Sequence, residues 1–130
     1  MTNKQIQAQK NALPRHQGCW LDMTDDQKQT HRELECREMI NSILVYNVRP
    51  GETEHWSSDA NKMISIEDYL YNNQYLQCYI NGKEYYHIGG ERVRELIREQ
   101  IADYGKCEVG YAGTLEGVSY NYCKWEDEQD

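Results

Sequence analysis

The chain has 130 residues, with 14 lysines and arginines against 22 aspartates and glutamates and a formal net charge of -8. That balance argues against a protein that grips phosphates through a basic face, so no direct contact with nucleic acid is expected. A mean hydropathy of -0.96 and the lack of an apolar run near the roughly 18 residues a span requires exclude a membrane helix, and the first residues have no signal-like apolar stretch.

In chain order, residues 1–13 are rich in Gln and Lys and offer only Ile6 and Leu13 as large apolar side chains, which suits a frayed helix or a disordered arm ended by Pro14. A loop with Trp20, Leu21 and Met23 follows. Thr24-Asp25-Asp26-Gln27 then reads as a capping box opening a helix on Cys36, Ile40, Ile43 and Leu44, to about Val45, with a short extended piece before Arg49-Pro50-Gly51. The next ten residues read as a polar loop holding a lone Trp56. Ser65 caps a short helix, with Asp68 at the box position and Ile64 and Tyr69 as a staple.

Residues 75–88 carry β-prone runs on either side of Asn81-Gly82, the dipeptide that best tolerates two successive positive φ angles. The pattern predicts a hairpin in which Ile80 pairs with Lys83, Cys78 with Tyr85 and Leu76 with His87. Gly89-Gly90 breaks it. Val93, Leu96, Ile97, Ile101 and Tyr104 recur at helical spacing, Glu91 suits the helix N-terminus, and Gly105 fits a left-handed closing residue. A second hairpin follows, with Thr114 facing Gly117, Tyr111 facing Tyr120 and Val109 facing Tyr122. The expected fold class is a small α+β domain, a β-β-α-β-β unit preceded by a helix. Residues 1–23 form an arm and loop, partly flexible; 24–125 form the domain and 126–130 an acidic tail.

With no Phe but 11 Tyr and 3 Trp, much of the aromatic volume must find partners for hydroxyl or N–H groups. Cys19, Cys36, Cys78, Cys107 and Cys123 are odd in number and lack C-x-x-C spacing, which points to reduced thiols and a cytoplasmic protein. His16, Cys19, His31 and Cys36 are ligand-type residues, but His31 and Cys36 would not share a helix face, so no metal site and no cofactor is expected. Signatures for nucleophilic, phosphate-loop and zincin chemistry are lacking, which speaks against an enzyme.

Two candidate surfaces remain. Glu52, Glu54, Asp59, Glu67 and Asp68 crowd one stretch around Trp56, and as a group they would suit a protein partner with a basic surface, such as a nucleic-acid-binding effector. Tyr79, Tyr86, Gly89, Gly90, Arg92 and Arg94 would suit a nucleotide, with backbone N–H groups at the helix start holding phosphate and tyrosines stacking on the base. In size, acidity, lack of catalytic signature and tyrosine-rich α+β pattern, the chain resembles the single-domain proteins by which phages disarm bacterial defences, anti-CRISPR inhibitors among them. The resemblance assigns no residue a role. It implies an inhibitor that occupies a basic groove; the alternative is a nucleotide-sequestering protein, with tyrosines at the interface of a homo-oligomer.

Overall fold

The computed structural model describes residues 1–14, 23–106, 108–115 and 118–124, the last two ranges as backbone only. His16, Cys19, Trp20, the side chains of Cys107 and Cys123, and the acidic tail lie outside the described residues.

Two helices begin with the same device. In α1 (Asn3–Ala12) the Thr2 hydroxyl accepts from the Gln5 N–H at 3.2 Å while the Gln5 amide oxygen accepts from the Thr2 N–H at 2.9 Å. Thr24 and Gln27 repeat that exchange at the start of α2 (Asp25–Asn47). Each reciprocal pair satisfies donors that the first helical turn leaves without partners. Ile6 anchors α1 in the core, Ile43 and Leu44 are buried on α2 as expected, and α2 continues two residues past the expected end, through Tyr46 and Asn47 where an extended piece was expected.

After α2 the chain forms β1 (Glu54–Ser57) and β2 (Lys62–Ser65), an antiparallel pair where a polar loop was expected. Ser65 then caps α3 (Ile66–Tyr71), its hydroxyl accepting from the Asp68 N–H at 3.1 Å as the sequence predicts. A 3-10 turn over Gln74–Leu76, a short α4 (Gln77–Ile80) and another 3-10 turn over Glu84–Tyr86 lead to α5 (Gly90–Tyr104).

The hairpin expected over residues 75–88 does not form, and the β-β-α-β-β unit loses its first half. Leu76, Tyr79 and Ile80 are all buried, a spacing of three and four that one face of a helical turn satisfies. A strand would have put Tyr79 on the face opposite Leu76 and Ile80. Asn73 helps by accepting the Tyr75 N–H at 2.8 Å. Asn81 has a φ of -112°, and Gly82 is not among the positive-φ residues, so the dipeptide makes no type I′ turn. Glycine is needed at 82 for a different reason, because a Cβ there would run into the carbonyl of Cys78.

The core is helical. Cys36, Ile40, Ile43 and Leu44 of α2 meet Val93, Leu96, Ile97 and Tyr104 of α5, with Ile66 and Leu70 of α3 and the Leu76, Tyr79 and Ile80 turn closing the sides. Burial pushes the Cys36 thiol up to about 12, so it packs as a neutral apolar group. The Tyr104 hydroxyl donates to the Val48 carbonyl at the end of α2. Gly105, expected to be left-handed, has a φ of -60° and continues the last turn, its N–H donating to the Ile101 carbonyl at 3.0 Å.

The second hairpin is present as β3 (Glu108–Leu115) and β4 (Val118–Lys124), but in another register. Leu115 pairs with Val118 and Gly113 with Tyr120; an irregularity between Tyr111 and Gly113 then sets Tyr111 opposite Asn121 and Gly110 opposite Tyr122. The expected Tyr111–Tyr120 and Val109–Tyr122 pairs are therefore displaced. The closing pair shifted because Leu115 is taken into the strand, and the bulge adds one more residue on β3. The two strand pairs are separate sheets, so the domain is α+β with a helical centre. No described helix is long and apolar enough to cross a membrane.

Candidate functional site

The six acidic-stretch candidates fall into two groups. Pairing of Glu54 with Ser65 and Trp56 with Met63 gives β1–β2 an outer face on which the indole stands 53% exposed directly across from a methionine 51% exposed. His55 and Ile64 pair on the other face, where the His55 ring lies 4.3 Å from that of Tyr69 of α3. This inner contact, with the Ile66 N–H donating to the Thr53 carbonyl at 3.2 Å, holds the hairpin against α3 and turns Trp56 outward. Glu52, Glu54 and Asp59 are exposed beside it, Glu52 reaching His55 Nδ1 at 3.9 Å.

Glu67 and Asp68 are placed differently. Arg98 Nε donates to Glu67 at 2.6 Å, and Arg94 donates to Glu67 at 2.6 Å and to Asp68 at 2.8 Å. The Arg98 and Arg94 hydrogen bonds hold the Glu67 carboxyl below its usual range, and the Arg94 bond does the same for Asp68. Arg94 also lies over the Tyr71 ring at 4.0 Å. These charges link α3 to α5 and are largely neutralised, which leaves Glu52, Glu54, Trp56 and Asp59 as the outward set. Met63 joins them. Its only sequence signal was position across from Trp56, visible once residues 54–65 are read as a hairpin.

The nucleotide candidates are brought near one another, yet most are engaged. Tyr79 and Tyr86 meet edge to face with centroids 6.3 Å apart, but Tyr79 is buried while Tyr86 is exposed. The Gly89 N–H donates to the Tyr79 carbonyl at 2.9 Å, and Gly89 has a φ of 105°, which favours glycine. A side chain at Gly90 would collide with the Tyr71 hydroxyl. Arg92 bonds Glu33 at 2.7 Å and Glu95 at 2.7 Å, and Arg94 serves α3 as described. Burial alone would raise Glu33, but the hydrogen bonds from Arg92 and Gln29 more than reverse it.

A third constellation has no motif in the sequence. Glu35 lies 3.7 Å from His31 Nε2, and His31 Nδ1 hydrogen-bonds the Tyr85 hydroxyl, with Arg32 5.4 Å from the Tyr85 ring centre. Such a series can polarise a hydroxyl in an enzyme. Here burial pushes the Tyr85 phenol up to about 12, the opposite of activation. Among the described residues no group of three His, Cys, Asp or Glu is arranged to hold a metal ion. No family model matches the chain, and no curated protein or solved structure is found to be similar to it.

Proposed function

We propose that the chain is a small acidic, non-enzymatic binding protein that inhibits a nucleic-acid-handling effector by occupying its basic groove, in the manner of the phage anti-defence proteins it resembles. The outer face of β1–β2 carries this reading: an exposed Trp56–Met63 pair with Glu54 on the same face and Glu52 and Asp59 alongside. An aromatic anchor ringed by carboxylates is what a basic, partly apolar groove would complement. Because Glu67 and Asp68 already pair with arginine, the docking charge rests on Glu52, Glu54 and Asp59.

The test uses the immobilised chain to capture partners from a bacterial lysate at low and high salt, followed by a challenge with duplex DNA. Captured protein should be released by salt and by excess DNA, since both compete for the same basic surface. A variant with Glu52→Gln, Glu54→Gln and Asp59→Asn should associate more slowly at an unchanged melting temperature, and Trp56→Ala should weaken capture by about 2 kcal/mol through faster dissociation. Capture indifferent to salt, DNA and both variants would place the functional surface elsewhere.

A further inference from the structure

Beside the outer face of the hairpin lies a cavity of about 270 Å³ between the β1–β2 turn and the corner that joins α3 to the following 3-10 turn. Trp56 and Asp59 line it from the hairpin, and Tyr69, Asn72, Asn73 and Gln74 from the opposite side. It adjoins a wider depression of about 580 Å³ that shares Ser57, Asp59, Ile64 and Asn72 with it. The narrower cavity is of a size that one side chain can fill, at the lower end of the roughly 300–1,000 Å³ of sites for drug-sized ligands.

The lining chemistry is asymmetric. Asp59 is exposed and makes no ion pair among the described residues. The arginines on the adjacent helix face, Arg94 and Arg98, are committed to Glu67 and Asp68; Lys62 reaches only the wider depression. Asn73 uses its amide oxygen on the Tyr75 N–H and Ser57 its hydroxyl on the Ala60 N–H, so the polar groups left to a ligand here are the Asp59 carboxylate, the Asn72 and Gln74 amides and the Ser58 and Tyr69 hydroxyls. An aromatic wall, a carboxylate and two amide oxygens, with no cation lining the cavity, complement a planar group that carries positive charge and several N–H donors. A guanidinium is that group: it stacks on indole, pairs with carboxylate through two N–H bonds and has donors left for amide oxygens.

We infer that this cavity receives a single arginine side chain of the partner, stacked on Trp56 and paired with Asp59. The inference rests on the proposed function and sharpens it, since basic grooves that hold nucleic acid present arginine to phosphate. An arginine seated here is withdrawn from that role. Inhibition would then depend on one inserted side chain as well as on the general field of the carboxylates.

The probe is N-acetyl-arginine methylamide, titrated into the isolated chain at constant ionic strength up to about 50 mM, well above a millimolar Kd. The readouts are the Trp56 indole signal, assigned by its loss in Trp56→Phe, and the backbone amides of Asp59 and Asn72. Saturable shifts at all three are expected, with at least a tenfold weaker response to the citrulline analogue, which keeps the planar shape without the charge. The lysine analogue should also be weaker, and Asp59→Asn should abolish saturation. No saturable shift, equal binding of the citrulline or lysine analogue, an undiminished response in Asp59→Asn, or the same shifts from a neutral sugar such as N-acetylglucosamine would each overturn the inference. The proposed function fails separately: it is read by salt- and DNA-sensitive capture, which can succeed while the small probe does not bind.

Discussion

Replacing Gln100 by leucine tests the polar centre on which the helices are aligned. Gln100 is 0% exposed and Asn41, its partner across the α2–α5 contact, 1%. The Gln100 amide nitrogen donates to Asn41 Oδ1 at 2.5 Å and to the Met1 carbonyl at 2.7 Å, while its oxygen accepts from Arg37 at 2.9 Å and from the Met1 amine at 2.8 Å. All four hydrogen-bonding positions of the amide are thereby filled. In Gln100→Leu, Arg37 keeps Glu99, the amine keeps Asp103 and the Met1 carbonyl keeps a 3.3 Å bond from Asn41. Among the described residues, Asn41 Oδ1 keeps no other donor. One orphaned buried acceptor plus two lost charge-assisted bonds, less the gain from a buried leucine, gives about 2–4 kcal/mol of destabilisation. Urea unfolding followed by circular dichroism should show a lower midpoint at unchanged slope. Asn41→Leu should behave alike, and the double variant should cost less than the sum by about 1 kcal/mol, because neither amide is then orphaned by loss of the other, although the Met1 carbonyl loses both its donors. Additivity within about 0.5 kcal/mol would refute the shared network.

Ile97→Ala should cost about 2–5 kcal/mol in the same assay, since Ile97 is fully enclosed by the α2–α5 core, while Arg98→Ala should melt close to the parent. Parent-like melting of Ile97→Ala would contradict the α5 register. Acid should also destabilise through α3: the Arg98 and Arg94 bonds lower Glu67 and Asp68 from ordinary values of 4.5 and 3.8. A carboxylate lowered in the folded state stabilises above its unfolded value and loses that contribution as pH falls through the folded one. Unfolding measured from neutral pH downward should thus steepen below about pH 4.5, and Arg94→Gln with Arg98→Gln should flatten that slope; an identical slope in the variant would remove these pairs as the cause.

Where local signals agreed, the sequence was readable. Thr24 with Gln27, Ser65 with Asp68, and the Val93, Leu96, Ile97 and Tyr104 series each joined a cap or break to a matching periodicity, and α2, α3 and α5 follow them. Residues 75–88 failed because tyrosine and isoleucine favour strand in isolation, while burial of Leu76, Tyr79 and Ile80 together outweighed that preference. The Thr2–Gln5 box of α1 was as legible as the Thr24–Gln27 box and was masked by the polar composition around Ile6. The hairpin β1–β2 mixes Glu54, Lys62 and two serines into strands of four residues, too short for alternation to stand out, so in the sequence Trp56 is solitary, and only the pairing sets Met63 across from it. Of the candidate site, the exposed residues were legible as types; which carboxylates pair with Arg94 and Arg98 depended on the packing of α3 on α5.

The same short hairpin has a kinetic consequence. Neither of its strands holds a fully buried side chain; β2 runs into α3 at the Ser65 cap, and the His55–Tyr69 contact and the Thr53–Ile66 bond hold β1 to α3. A two-stranded ribbon of that size is marginal by itself, so it opens as a local unit while the α2–α5 core stays folded. For the proposed complex, the lifetime of the bound state is then governed by how often this ribbon lifts. His55, which lies outside the arginine cavity and packs on Tyr69, would set residence time by keeping the ribbon down.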